Sequence, residues 1–214
     1  MKRIVVMISG SGSNLQTLIE QIHLTDVDAE IVGVIANKPD AYGLTRAENA
    51  GIANICVDSS LYANDRVAYD RLLISTIEQY QPDLIVLAGF MRILTDEFVT
   101  HYLGKLINIH PSLLPKYKGL NTHQRAMDNG DSEHGVSVHF VTPELDDGPV
   151  ILQAKVPIFN DDDAAILAQR VQVQEHHIYP LVVKWFVEGR LLMRSGKAVM
   201  DDQYLGPNGF ASDE

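Results

Sequence analysis

A chain of 214 residues, 46% hydrophobic and 21% charged, is long enough for one sizeable core and has the composition of an ordinary globular protein. Its 17 Lys and Arg against 28 Asp and Glu leave a net charge of −11, and no basic cluster is longer than Met1-Lys2-Arg3, so nucleic acid is excluded as the principal partner. Cys56 is the only cysteine, which excludes an internal disulfide and a cysteine-built metal site and fits a reducing, cytoplasmic compartment; no run approaches the ~18 apolar residues of a membrane span.

The basic tip and the apolar residues behind it have the outline of a signal peptide. The run is too short for the usual apolar region of one, and Gly10-Ser11-Gly12-Ser13-Asn14 follows where a strand-to-helix turn belongs. Residues 4–8 therefore read as a fully buried strand and 13–22 as a helix, with Leu15, Leu18, Ile19 and Ile22 at helical spacing. Between them, Gly10 and Gly12 with Ser11 and Ser13 let backbone N–H groups converge at a helix N-terminus, a ready site for a phosphate; a tight turn without a ligand is the other reading. The dinucleotide fingerprint is incomplete. Leu15 holds its third glycine position, and the second strand, 31–36, runs into Asn37-Lys38 instead of an acidic ribose ligand. NAD is thus disfavoured and a nucleotide-sized monophosphate fits better, with Asn14 available for a further hydrogen bond.

Residues 40–43 read as a turn, 44–50 as a short helix closed by Gly51, and 53–57 as a third strand. Asp65 caps a helix reaching about Tyr80, with Val67, Leu72, Leu73, Ile74 and Ile77 as its apolar stripe; Pro82 ends it, and 84–88 is the next buried strand. Gly89 then permits close approach of a ligand, and Met91, Ile93 and Leu94 either line an apolar slot for a flat ring, with Arg92 as a charge at its mouth, or staple the helix predicted over 96–102.

The run Leu106-Ile107-Asn108-Ile109-His110-Pro111-Ser112-Leu113-Leu114-Pro115 is an apolar strand interrupted by two side chains that a buried strand should avoid. With a period of two, Asn108 and His110 share one face while Ile107 and Ile109 point to the other, and Pro111 ends the strand with the pair at its C-terminal tip. Open parallel sheets place ligands at that edge, and an amide beside an imidazole is a device for polarising a carbonyl; taken singly, each residue also reads as a satisfied polar group. Residues 119–129 read as a turn and helix. Residues 135–142 form a strand with two differently used faces, His139 on the less apolar one as a core histidine or a catalyst. Residues 142–149 are a loop whose Asp146 and Asp147 are natural partners for a catalytic histidine, 150–157 is a strand, and 163–188 a long helix with Gln172 and Glu175 on one face and Pro180 marking a kink or break. The tail from Gly189 is predicted to hold one short hairpin at most and to fray from Gly206 onward. Strands alternating with helices, without repeats or a linker, indicate an α/β fold: a mostly parallel doubly wound sheet, Rossmann-like in its N-terminal half, with the C-terminal half extending the same sheet.

Four segments together, Gly10-Ser11-Gly12-Ser13-Asn14, Ala88-Gly89-Phe90-Met91-Arg92, Asn108 to Pro115 and Asp146-Asp147-Gly148-Pro149, resemble the folate-dependent formyltransferases. The first turn and the Gln172 to Glu175 segment resemble the glycinamide ribonucleotide transformylase branch of that family, and the likeness runs from Arg3 to about Arg194. The resemblance implies one formyltransferase domain over 1–214, with a nucleotide-binding half to about 104, a catalytic and folate-binding half over about 105–195 and a tail from 196. It implies 10-formyltetrahydrofolate as co-substrate and no metal, 5'-phosphoribosylglycinamide as acceptor, and a cytoplasmic monomer or weak homodimer. By position, Asn108, His110 and Asp146 match the catalytic trio. Gly12, Ser13, Asn14, Gly89, Gln172 and Glu175 fall where that family binds the ribonucleotide; Arg66, Met91, Arg92, Ile93, Leu94, Asn108, Thr142, Pro143, Glu144, Leu145 and Asp146 fall where it binds the folate. Asp146, two residues before Gly148, has the family spacing.

That implication agrees with the residues: His110 and the Asn108 amide are donors for a developing oxyanion, Asp146 is an anion that favours the charged imidazole, and no Gly-x-Ser-x-Gly elbow offers a covalent route. The spacing of His110, His139 and Asp146 carries no metal-ligand signature. Three rivals are weaker. A formyltetrahydrofolate hydrolase is expected to carry an N-terminal regulatory domain, a methionyl-tRNA formyltransferase a further C-terminal domain and an RNA-tolerant surface, and a nucleotide-binding module without catalysis leaves Asn108, His110 and Asp146 unexplained.

Overall fold

Strand β1 (Lys2–Ile8) is the centre of the first of two compact units, Met1–Ile107 and Asn108–Glu214, in a computed structural model that describes residues 1–210. Ile4 to Ile8 are all buried, because β1 is paired on both sides and covered on both faces; this is why no polar alternation appears in its sequence. Around it run α1 (Ser13–Leu18), β2 (Ala29–Ala36), α2 (Tyr42–Asn49), β3 (Asn54–Cys56), α3 (Arg66–Glu78), β4 (Leu84–Leu87) and α4 (Asp96–His101). The strands lie in the order β3-β2-β1-β4, with β1 parallel to both neighbours and β2 parallel to β3. The chain thus winds outward from β1 in one direction and then in the other. Open sheets wound in this way take ligands at the C-terminal ends of the strands where the winding reverses, and the glycine turn follows the C-terminal end of β1.

Several boundaries differ from the sequence reading. The first helix keeps α geometry only to Leu18 and finishes as a π-helical turn, Ile19–His23. The expected turn at 40–43 is the start of α2, which begins two residues early because the Gly43 N–H donates to the Gly10 carbonyl at 3.1 Å. Asp65 caps α3 as predicted, its carboxylate accepting from the Ala68 N–H at 2.9 Å. The buried face of α3 is Tyr69, Asp70, Leu73, Thr76 and Ile77, however, and Val67 and Leu72 of the expected stripe are exposed. Two polar-tipped residues hold that face in place: the Tyr69 hydroxyl donates to the Val57 carbonyl at 2.8 Å, and an Asp70 oxygen accepts from the Thr95 N–H at 2.6 Å. Counting apolar residues alone misses both.

Strand β5 (Leu106–His110) crosses the boundary between Ile107 and Asn108, and carries the chain into the second unit. There follow α5 (Thr122–Asp128), β6 (Glu133–Phe140), β7 (Val150–Pro157), α6 (Ala164–Val187) and an antiparallel ribbon of β8 (Leu191–Arg194), β9 (Lys197–Met200) and β10 (Gln203–Tyr204). The order here is β5-β6-β7, with β6 and β7 antiparallel and a bulge between Val138 and His139. Parallel strands alternating with helices in the first unit, and helices packed on the strands of the second, make a mostly parallel α/β fold.

Both faces of β6 are buried, including Ser137 and His139, so its less apolar face is not a solvated one. Ser137 is satisfied there by donating to the Ser112 carbonyl at 2.6 Å and accepting from the Leu114 N–H at 3.0 Å. Helix α6 runs unbroken through Pro180, which is buried within its packed face beside Tyr179, Val182 and Val183; packing against β6 and β7 outweighs the missing backbone donor. The tail holds three strands instead of one hairpin, and it is tied down beyond Gly206: the Phe210 N–H donates to the Ile151 carbonyl at 2.7 Å and its ring meets Trp185 edge-on at 5.2 Å. The last stretch of the expected frayed end, 211–214, lies outside the described residues. No helix among the described residues is long and apolar enough to cross a membrane.

Replacing Tyr69 by Phe removes a buried hydroxyl and strands the Val57 carbonyl. The expected result is a loss of about 1–3 kcal/mol, read as a lower urea midpoint at unchanged m-value.

Candidate active site

The two polar side chains of β5 emerge together at its C-terminal tip, as the period of two requires. His110 is 6% exposed. Its Nδ1 lies 3.5 Å from Asp146 Oδ2, and its Nε2 lies 2.9 Å from the carbonyl oxygen of Tyr117 in the loop that follows the strand. Both ring nitrogens therefore face oxygens, and only the doubly protonated ring meets both with N–H donors. Asp146 Oδ2 also accepts from the Gly119 N–H at 2.9 Å, so the same loop orients the imidazole and its carboxylate partner.

Asp146 reaches this position through a sharply turned loop. Its own φ is 49°, and at Gly148 a Cβ would stand 1.8 Å from the Phe140 carbonyl oxygen, so no side chain fits where the loop returns to β6. Its neighbour Asp147 turns the other way and pairs with Lys118 at the surface. Of the two adjacent aspartates, Asp146 is the one that faces His110.

Asn108 is joined by a residue that sequence reasoning left undecided. The His139 ring is 2% exposed; its Nε2 is 3.3 Å from Asn108 Nδ2 and 4.0 Å from Asp146 Oδ1, and its Nδ1 is 2.9 Å from the Phe140 carbonyl oxygen. Burial pushes this imidazole down to about 4, against the opposing pull of the Phe140 carbonyl and Asp146. The alternation 136, 138, 140 against 137, 139 was the available signal, and it placed His139 on the right face without saying what the face meets. The loop contacts at Tyr117 and Gly119 come from backbone atoms, which no side-chain pattern announces.

A second histidine pair lies beside this loop: His134 Nε2 and His123 Nδ1 are 3.1 Å apart with the rings edge-on. Burial, with His123 adding to it, pushes His134 down to about 4.

In the first unit the glycine turn is braced from α2. Gly12 caps α1 in the left-handed region, φ 70°, and a Cβ on it would stand 2.8 Å from the Gly43 Cα. Arg46 donates to the Ser11 carbonyl at 2.8 Å and to the Gln16 side chain at 3.2 Å. Ser13 begins α1 and Asn14 is buried within it. Gly89, φ 76°, follows β4, the strand next to β1, and the Met91 N–H donates to the Ser9 hydroxyl at 2.7 Å.

The expected folate-contact residues are placed less uniformly. Met91 and Ile93 are 69% and 58% exposed, Leu94 is half-buried, and the Arg92 guanidinium lies 4.2 Å over the Tyr69 ring. Arg66 opens α3 and is exposed. In the second unit Pro143, Glu144 and Leu145 are exposed and Thr142 half-buried on the Asp146 loop, while Gln172 is exposed and Glu175 half-buried on α6. Asn108, His110 and Asp146 are thus brought together within one unit, with His139 as a fourth member. Among the described residues, no group of three or more His, Cys, Asp or Glu side chains is arranged to hold a metal ion.

Comparison with known proteins bears on this arrangement. The pattern that defines the formyl transferase family matches residues 2–183. The phosphoribosylglycinamide formyltransferase of Escherichia coli is 57% identical over 211 residues, 99% of each chain, and that of Haemophilus influenzae is 49% identical over 213 residues, the full length of both. The solved structure of the phosphoribosylglycinamide formyltransferase from Coxiella burnetii superposes with a TM-score of 0.93 at 48% identity, covering 98% of each chain.

The neutral His134 gives stability a sign with pH. Its folded-state value lies below the ordinary 6.5, so between pH 6.5 and about 4 the folded chain binds fewer protons than the unfolded one. Stability present above 6.5 is lost as the pH falls toward 4. The urea midpoint should drop over that window, and drop less steeply in His134→Gln; parallel profiles for the two proteins would contradict the assignment.

Proposed function

The chain belongs to the formyl transferase family and is a formyltransferase, and on that premise we propose that it moves the formyl group of 10-formyltetrahydrofolate to the amine of 5'-phosphoribosylglycinamide, a step of de novo purine synthesis in the cytoplasm. The observation that carries this reading is the buried His110 with Asp146 at one ring nitrogen and Asn108 on the same face of the strand.

In this reading the amine nitrogen attacks the formyl carbon, a C–N bond forms, and negative charge gathers on the formyl oxygen in a tetrahedral intermediate. The His110 N–H and the Asn108 amide donate to that oxygen; a donor of this kind is worth roughly 3 kcal/mol of barrier. For His110 to do so, its Nε2 must exchange the Tyr117 carbonyl for the substrate oxygen, which assigns the loop after β5 a part in admitting substrate. Asp146 keeps the ring charged and oriented, and collapse of the intermediate breaks the bond to the folate nitrogen as a proton moves from the amine to that nitrogen through His110. The turn Gly12, Ser13 and Asn14 holds the ribonucleotide phosphate, with Gly89, Gln172 and Glu175 contacting the rest of that substrate. By their match to the family, Met91 to Leu94 and the loop 142–146 are assigned to the pterin, and Arg66 to the folate. No metal or nucleic acid takes part, and the enzyme works as a monomer or weak homodimer.

The nearest alternative is the same donor with water as acceptor. Absorbance at the folate, followed with and without the ribonucleotide, separates the two: strict dependence on the ribonucleotide is expected, and equal turnover in its absence would mean a hydrolase. His110→Ala and Asp146→Asn should each lower kcat by roughly a hundredfold or more while leaving the ribonucleotide Kd within about threefold. Asn14→Ala is expected to do the reverse, weakening the ribonucleotide and sparing folate affinity. Equal damage to both ligands by Asn14→Ala would remove the phosphate from that turn.

A further inference from the structure

We propose that His139 is a positioning residue for formyl transfer: its ring locks the Asn108 side-chain amide so that Nδ2, and not Oδ1, is the end held against β6, with one Nδ2 proton committed to His139 and the other left to donate to the reacting oxygen. This rests on the role given to Asn108 above.

The geometry leads there in three steps. The Phe140 carbonyl 2.9 Å from His139 Nδ1 has no proton to give, so Nδ1 carries one. The ring is fully buried, which opposes a second proton, and the carboxylate that favours one, Asp146 Oδ1, stands at 4.0 Å, outside hydrogen-bond range. His139 Nε2 therefore presents a lone pair. At 3.3 Å from it, an amide turned the other way would set the Asn108 oxygen lone pairs against that of the ring, whereas the observed orientation makes an N–H···N hydrogen bond.

An asparagine without such a neighbour rotates about its last bond and presents donor and acceptor alternately; an acceptor aimed at a growing negative charge works against the reaction. The β-bulge between Val138 and His139 sets the ring at this point of β6, opposite Val150. Bulges beside active sites re-aim side chains in this way.

Two substitutions divide the ring's functions. His139→Asn keeps a donor near the Phe140 carbonyl but loses the acceptor for Asn108, whereas His139→Gln places an amide oxygen where Nε2 stood. The expected result is a kcat lowered on the order of tenfold in His139→Asn, with KM for both substrates within about threefold, and recovery of most of the rate in His139→Gln. In an Asn108→Ala background His139→Asn should cost nothing further. A multiplicative loss in the double variant, or His139→Gln no better than His139→Asn, overturns the proposal. The unaltered protein supplies a readout independent of activity and of how the variants fold: long-range 1H–15N spectra of the His139 ring should show a neutral Nδ1–H tautomer from pH 6 to 8. An Nε2–H tautomer or an imidazolium in that range overturns the lock even if transfer is normal. Absence of ribonucleotide-dependent transfer alongside the expected tautomer would instead strike the functional reading and take the catalytic consequence of the lock with it.

Discussion

An imidazole sealed from water with an oxygen at each of its nitrogens is the constraint around which the second unit is arranged. A buried polar ring without partners is expensive, and His110 is tolerable because the Asp146 carboxylate stands 3.5 Å from Nδ1 and the Tyr117 carbonyl 2.9 Å from Nε2. Each partner then has requirements of its own. Asp146 needs a loop that doubles back tightly, hence a residue without a side chain at Gly148, and it needs the Gly119 N–H to occupy its second bond. Tyr117 needs the segment after β5 to turn back over the strand end, and the Ser112, Leu114 and Ser137 hydrogen bonds secure the base of that turn. One buried ring and its partners thus tie together the course of two loops.

The first unit is governed by closeness of backbone instead of charge. Gly12 and Gly43 let α1 and α2 approach until the backbone of one helix start touches the other, and Arg46 fastens the turn by bonding its carbonyl at Ser11. A turn held in this way needs no ligand to order it, which in the proposed function lowers the entropic cost of binding the ribonucleotide phosphate. Its position at the C-terminal end of β1, where the winding reverses, follows from the strand order.

The two parts make different demands on sequence. A turn that cradles a phosphate is built largely from glycine and backbone, so its signature is short and local, and Gly10 to Asn14, the turn proposed for that part, has this form. A carbonyl-polarising group is built from side chains on segments far apart in the chain. Asn108 and His110 are visible as a pair because they share a strand, and Asp146 is connected to them in sequence only through the family resemblance. His139 lies between these cases: strand alternation placed it on the correct face, while its neighbours across the sheet decided what it does there.

By itself the sequence determined the order of strands and helices as far as α6, the buried character of β1, the end of β5 at His110 and the Asp65 cap. These follow from periodicity, proline and capping, which act within a few residues and leave a local mark. The tertiary structure alone decided that Pro180 is carried inside an unbroken helix, that Tyr69 and Asp70 belong to the buried face of α3, and that the tail is a fastened ribbon. Each of those depends on which group stands opposite at a distance of a few ångströms, and a polar atom with a buried partner looks the same in the sequence as one without.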